Sequence, residues 1–201
     1  MRTVLLKRLR ALISCFWVVP MTHGLNWKSA ATLGGTLTAL LLSLPLAHWA
    51  ITSTNLRGLG SEDNLIATLY LPAVSILGVM LCGFIVGAVG GVSDVAIGQA
   101  STVYELAASE SSPWMLFTSG MLVGRDHISS MVYTLALSYT GAALPSLLVL
   151  AVASRPTEQI LTGDVIATEL LRSGVGALAL ILAVRLTTLI AALTVNERPP
   201  R

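Results

Sequence analysis

Charge is scarce in this sequence. Only 11% of its 201 residues are charged, 12 Lys and Arg against 10 Asp and Glu, where a soluble domain carries roughly 25%. That is too little to cover a water-facing surface, so a soluble globular domain is excluded. Cysteine is nearly absent as well. Cys15 and Cys82 sit in apolar runs, with no CxxC or Cys/His pairing. This excludes a disulfide framework and a zinc site and leaves two reduced thiols acting as small apolar residues. No basic block follows the first ten residues, so nucleic acid is not a partner. There is no P-loop, GxSxG, HExxH or dinucleotide fingerprint, and Ser101 has no histidine at a local spacing. No catalytic residues, metal or cofactor are expected, and the chain reads as a non-enzyme.

What is present is apolar. Hydrophobic residues make up 54% of the chain and the mean hydropathy is +0.80. The expected class is an all-α, polytopic helical membrane protein whose first partner is the lipid bilayer. A span needs about 20 apolar residues, and residues 31–53, 65–90, 128–153 and 174–194 supply four such runs within a transmembrane domain of residues 31–195. Residues 1–30 begin with a basic stretch and hold an apolar run at 11–21 that is only eleven residues long. The shape is that of a signal peptide, but no small-x-small cleavage site follows. A partial or interfacial helix, or the end of a shortened span, is the better reading. Residues 196–201 (NERPPR) read as a short disordered tail.

Local features refine these spans. Pro45 is expected to kink the first, and His48 and Trp49 near its end suit the membrane interface. Residues 54–64 read as a solvated loop, and Pro72 interrupts the second span. Gly83, Gly87 and Gly91 recur every four residues, which strips side chains from one helix face and lets a neighbour approach. Thr134, Ser138, Gly141 and Pro145 form a similar stripe on the third span, which glues helices or lines a polar path. Residues 164–172 read as an amphipathic helix feeding the fourth span, with Glu169 and Arg172 as an i,i+3 pair worth a few tenths of a kcal/mol. A count of Lys and Arg on each side puts Arg2, Lys7, Arg8, Arg10, Lys28, Arg125, Arg198 and Arg201 against Arg57, Arg155 and Arg172. That sets residues 91–127 in the cytoplasm; treating 11–21 as a fifth span moves them outside.

The polar exception is residues 91–130. If 92–107 form a helix, Asp94, Gly98, Ser101 and Glu105 share one sector, with Ala96, Ala100, Val103 and Ala107 opposite. The two carboxylates then stand about 16 Å apart by the helical rise, too far to share a proton or a metal. Further on, Asp126 is placed to cap the helix that begins the third span. With His127 it also makes a candidate proton- or cation-handling pair at the membrane boundary, since ionisable residues there are costly to keep. Arg185 falls in the middle of the fourth span and is expected to face the bundle interior and pair with Asp94 or Glu105.

Three segments carry a family resemblance: DVAIGQASTVYEL (94–106), GRDHISSMVYTLALSYTGAALPSLLVL (124–150) and AVRLTT (183–188). In order and spacing they resemble the YibE/F-like bacterial membrane proteins, with HGLNWKSAATLGGTL (23–37) resembling the start of that family's carboxy-terminal half. The resemblance runs from about residue 20 to 195. It implies a multi-pass protein of the bacterial plasma membrane, and it marks Asp94, Gln99, Ser101, Glu105, Gly124, Arg125, Asp126 and His127 as the family-like polar residues. The family pattern has proline where this chain has Arg185. Family members are commonly longer upstream, so the resemblance implies a short or truncated member. The functional expectation is a transporter or permease-like component of unspecified substrate. The alternative is a non-catalytic scaffold or partner subunit, with a second copy or another membrane chain as its partner.

Overall fold

The computed structural model describes residues 27–59, 62–109, 112–152, 156–161 and 163–195. The amino-terminal segment up to residue 26 and the tail at 196–201 lie outside the described residues, so the expectations about them are not addressed. All the described elements are helices: α1 Trp27–Ser53, α2 Glu62–Tyr70, α3 Ile76–Leu106, α4 Pro113–Val152, α5 Thr157–Leu161 and α6 Asp164–Val195. α1, α3, α4 and α6 are long and apolar enough to cross a membrane. The chain is thus a polytopic helical membrane protein.

Three boundaries depart from the sequence reading. The expected span at 65–90 is broken. Pro72 has no N–H to continue the ladder, so α2 ends at Tyr70, and Ser75 then caps α3 by accepting a hydrogen bond from the Gly78 N–H at 3.3 Å. α2, at nine residues, reaches only about 13 Å and cannot span. Beyond Gly91 the helix does not stop. Span and polar stripe are one helix, because charged side chains do not interrupt the backbone ladder. The third span likewise starts at Pro113, whose fixed φ and missing N–H suit a first helical position, and the Leu116 N–H bonds the Ser112 carbonyl at 2.9 Å. Asp126 therefore lies about 20 Å inside a helix and caps nothing. Only residues 107–112 separate α3 from α4, so Arg125 is not a loop charge in any count of sidedness, and neither is Arg172 on α6.

Packing fixes an up-down bundle. Ala31 clusters with Val103 and Ala191 at one end, while Ala47 and Ile51 cluster with Phe84 and Val175 at the other. α1 is therefore antiparallel to α3 and α6, which run parallel to each other. α4 returns beside them, with Leu116 in the first cluster and Leu135 against Gly176 lower down. α6 packs on α1, α3 and α4, and α1 and α4 flank the α3–α6 pair on opposite sides. The loop after α1 turns at Gly58, whose φ of +69° favours glycine. Asp164 at the start of α6 holds that loop by accepting the Leu59 N–H at 3.0 Å.

Glycine sets the closest approaches, but of the three glycines in the periodic stripe only Gly87 makes one: a Cβ there would lie 2.8 Å from the Tyr139 hydroxyl. Gly83 has nothing within 4 Å of the position its Cβ would take, and Gly91 meets only Leu180 Cδ2 at an ordinary 3.6 Å. Other tight contacts include Gly35, where a Cβ would lie 2.9 Å from the Thr187 Cα, and Gly120 and Gly124. A Cβ at Gly124 would sit 2.7 Å from Val184 Cγ1. Two substitutions separate these positions. Gly35→Val should destabilise the bundle by about 1–3 kcal/mol through overpacking against backbone. Gly83→Ala should be neutral or stabilise by up to about 1 kcal/mol. Thermal unfolding in detergent followed by circular dichroism reads both, and equal effects would contradict the packing.

Candidate functional site

The residues singled out by the sequence lie along the outer seam of α3 and α4. Asp94 and Glu105 are exposed on α3, with Gly98 and Ser101 half-buried between them. Ser101 bonds its own helix, Oγ to the Ile97 carbonyl at 2.8 Å. Arg125, Asp126 and His127 are exposed on α4. His127 leans across the seam onto Gly98, where a Cβ would meet its Nε2 at 3.6 Å. That brings the imidazole within one helical turn of Asp94 along α3, but the two form no ion pair.

Gln99 goes the other way. It is 2% exposed, and its Nε2 donates to the Gly120 carbonyl at 2.6 Å. Gly120 and Gly124 make room for that amide: a Cβ at Gly124 would stand 3.1 Å from Nε2. The glutamine thus satisfies itself by bonding a neighbouring helix's backbone, a structural role in the α3–α4 contact. Other buried polar groups behave similarly, with Thr188 Oγ1 bonding the Val184 carbonyl at 2.6 Å and Ser43 Oγ the Leu40 carbonyl at 2.8 Å. Thr187 Oγ1, pressed against Gly35, has no partner.

Arg185 does not face the interior. It lies on the outward stripe of α6 with Leu178, Leu189 and Leu193, and no salt bridge joins it to Asp94 or Glu105. The physical reason is the packing surface of α6. Its buried side sets Gly176, Ala179, Ala183, Thr187 and Ala191 among Val175, Leu180 and Val184; the small members let helices close in, and a guanidinium there would hold them apart.

A half-buried charge pair lies elsewhere. Between α3, α4 and the start of α6, Arg172 Nη1 pairs with Glu169 at 3.0 Å to Oε1 and 3.2 Å to Oε2. Its guanidinium carbon stands 5.7 Å from the Phe84 ring centroid and 5.9 Å from that of Tyr139, within cation–π range of both. Tyr139 extends over Gly87, and its hydroxyl and Arg172 Nε are buried without partners. Beside the pair, a cleft of about 180 Å³ opens between α4 and α6, with Glu169, Tyr139, Thr140, Ser146 and Ser173 as its polar lining. Ser146 and Ser173 make no hydrogen bond among the described residues. Sequence reasoning counted Glu169 and Arg172 as a weak helix-surface pair. The spacing was visible, but Phe84 and Tyr139 come from two other helices, and nothing local pairs them with Arg172.

The model of the YibE/F-like protein family matches residues 2–197. The match takes in residues 11–21 and so begins upstream of the resembling segments. No curated protein and no solved structure matches the chain.

The ion pair makes a direct prediction. Glu169→Gln leaves the Arg172 charge between helices without a counter-ion. Breaking a buried pair in this way is costly, and exposure of 30% and 26% for the two side chains softens it, so the expected loss is about 1–3 kcal/mol. Arg172→Lys should fail to restore full stability in a wild-type Glu169 background, because an ammonium cannot stack flat between two rings. Unfolding of the purified protein in mixed micelles measures both.

Proposed function

The chain belongs to the YibE/F-like protein family, and on that premise we propose that it is a transporter or permease-like component of the bacterial plasma membrane with no catalytic step of its own. The observation that carries this reading is the cleft between α4 and α6. It is a concave groove between two spanning helices, bordered by a charge pair and by serine hydroxyls free to bond a solute. Polar groups at membrane depth are expensive and mark substrate or ion pathways, and transporter sites lie where helices meet around such groups. Apolar walls from Ala143, Leu147, Val165, Ile166 and Leu170 surround the polar face, the usual make-up of a small-molecule pocket. By volume the cleft accepts a solute the size of about six waters, which suits a small cation or zwitterion whose ammonium group bonds Glu169.

A scaffold or partner-subunit role is the second reading. It is favoured by α4, whose most apolar window has no buried residue and so offers a long free face to another chain.

Proteoliposome uptake of labelled sodium, potassium, methylammonium and glycine distinguishes the two. The transport reading expects uptake of at least one, reduced about tenfold or more by Ser173→Leu, which fills the cleft, and by Glu169→Gln. Asp94→Asn tests the outer seam in the same assay. No uptake of any of the four by the folded wild-type protein, or uptake indifferent to both cleft variants, favours the scaffold.

A further inference from the structure

α4 is covered on one side only. Its buried residues are Leu116, Gly120 and Gly124, all in the first third of the helix. Further along, Arg125, Asp126, Ser129, Tyr133, Ala136 and Thr140 share another side of the helix at helical spacing, all exposed. Lipid can cover the apolar members, but the charges are another matter. Arg125 and Asp126 are both exposed, and neither makes a salt bridge among the described residues.

Sliding the helix through a bilayer does not remove the conflict. α4 has 40 residues, about 60 Å of helix, against a hydrocarbon core of about 30 Å. Exposed apolar side chains stand on both sides of the charges, Trp114, Met115 and Leu122 before them and Tyr133, Leu137 and Leu144 after. A bilayer placed below Arg125 leaves the first group in water. A bilayer placed higher puts both charges in lipid. A protein surface over this part of α4 removes the cost in either placement.

We propose that a second copy of this chain supplies it, through a two-fold interface centred on Arg125 and Asp126. Two copies inserted in the same orientation can share a two-fold axis only along the membrane normal, which sets like-numbered residues at one height. Arg125 and Asp126 differ by one helical rise, about 1.5 Å. Each copy's Arg125 then meets the other's Asp126, so the patch is its own charge complement. Below the pair the same side carries Ser129, Ala136 and Thr140, small side chains that let two α4 helices approach on either side of Tyr133. This interface does not depend on the cleft carrying a solute.

The test is cross-linking of the full chain in lipid nanodiscs and native membranes. Ser129→Cys is introduced with Cys15→Ser and Cys82→Ser, and a disulfide-linked species of twice the chain's mass is expected on mild oxidation. Arg125→Asp alone and Asp126→Arg alone should each weaken self-association about tenfold or more, and the swap carrying both should restore it, which separates lost pairing from lost folding. A protein that stays monomeric at high protein-to-lipid ratio overturns the proposal. So does a dimer indifferent to both reversals, a swap that stays monomeric, or cross-linking to a chain of different mass.

Discussion

Backbone approach around α6 is the constraint on which the rest of the structure depends. Lipid tails are as apolar as leucine, so helices in a membrane gain little from hiding apolar surface against each other and are held by van der Waals contact. Such contact needs atoms at about 3.5–4 Å, and only small residues bring whole helices that close. α6 presents Gly176, Ala179, Ala183, Thr187 and Ala191, and its neighbours answer with Gly35 on α1 and Gly120 and Gly124 on α4. The same glycines leave the room that Gln99 needs to reach the Gly120 carbonyl. Nearer the start of α6, the residues turned toward α4 are Ile166, Glu169 and Ser173. The contact there is looser, and the cleft is the space that results.

Charge divides along the same line. Glu169 and Arg172 sit where helices have separated enough to admit them, and they neutralise each other between two aromatic rings. Asp94, Arg125, Asp126, His127 and Arg185 sit on the outside, excluded by the close contact of small residues within. An outward charge on a membrane bundle is satisfied by water, by lipid headgroups or by another chain. α4 carries two of opposite sign side by side, on the helix with the least cover from its own fold.

Much of the fold could be read directly. Apolar length identified the spans, and the stripe of Asp94, Gly98, Ser101 and Glu105 follows from helical period, with Val95, Ala96, Ala100 and Val103 buried behind it. The misreadings share a cause. Polarity does not bound a helix, which ends where backbone bonding ends. At Pro72 the ladder stops within an apolar run. At Gly91 and at Asp126 it continues through polar ones. The glycine repeat is met at Gly87 by Tyr139 and left open at Gly83, since a repeat shows that a smooth face exists and leaves open where a neighbour meets it.

By itself the sequence determined that this chain lives in a bilayer as a helical bundle, because hydrophobic length and scarcity of charge are properties of segments taken singly. It also showed which residues are polar and which of them share a helix face. Tertiary structure alone decided which faces are buried, and with that the roles of individual residues. It sent Gln99 inward and Arg185 outward, and it brought Phe84 and Tyr139 from separate helices onto Arg172. Those outcomes depend on distances between helices, which small side chains set jointly across an interface and which no single helix encodes.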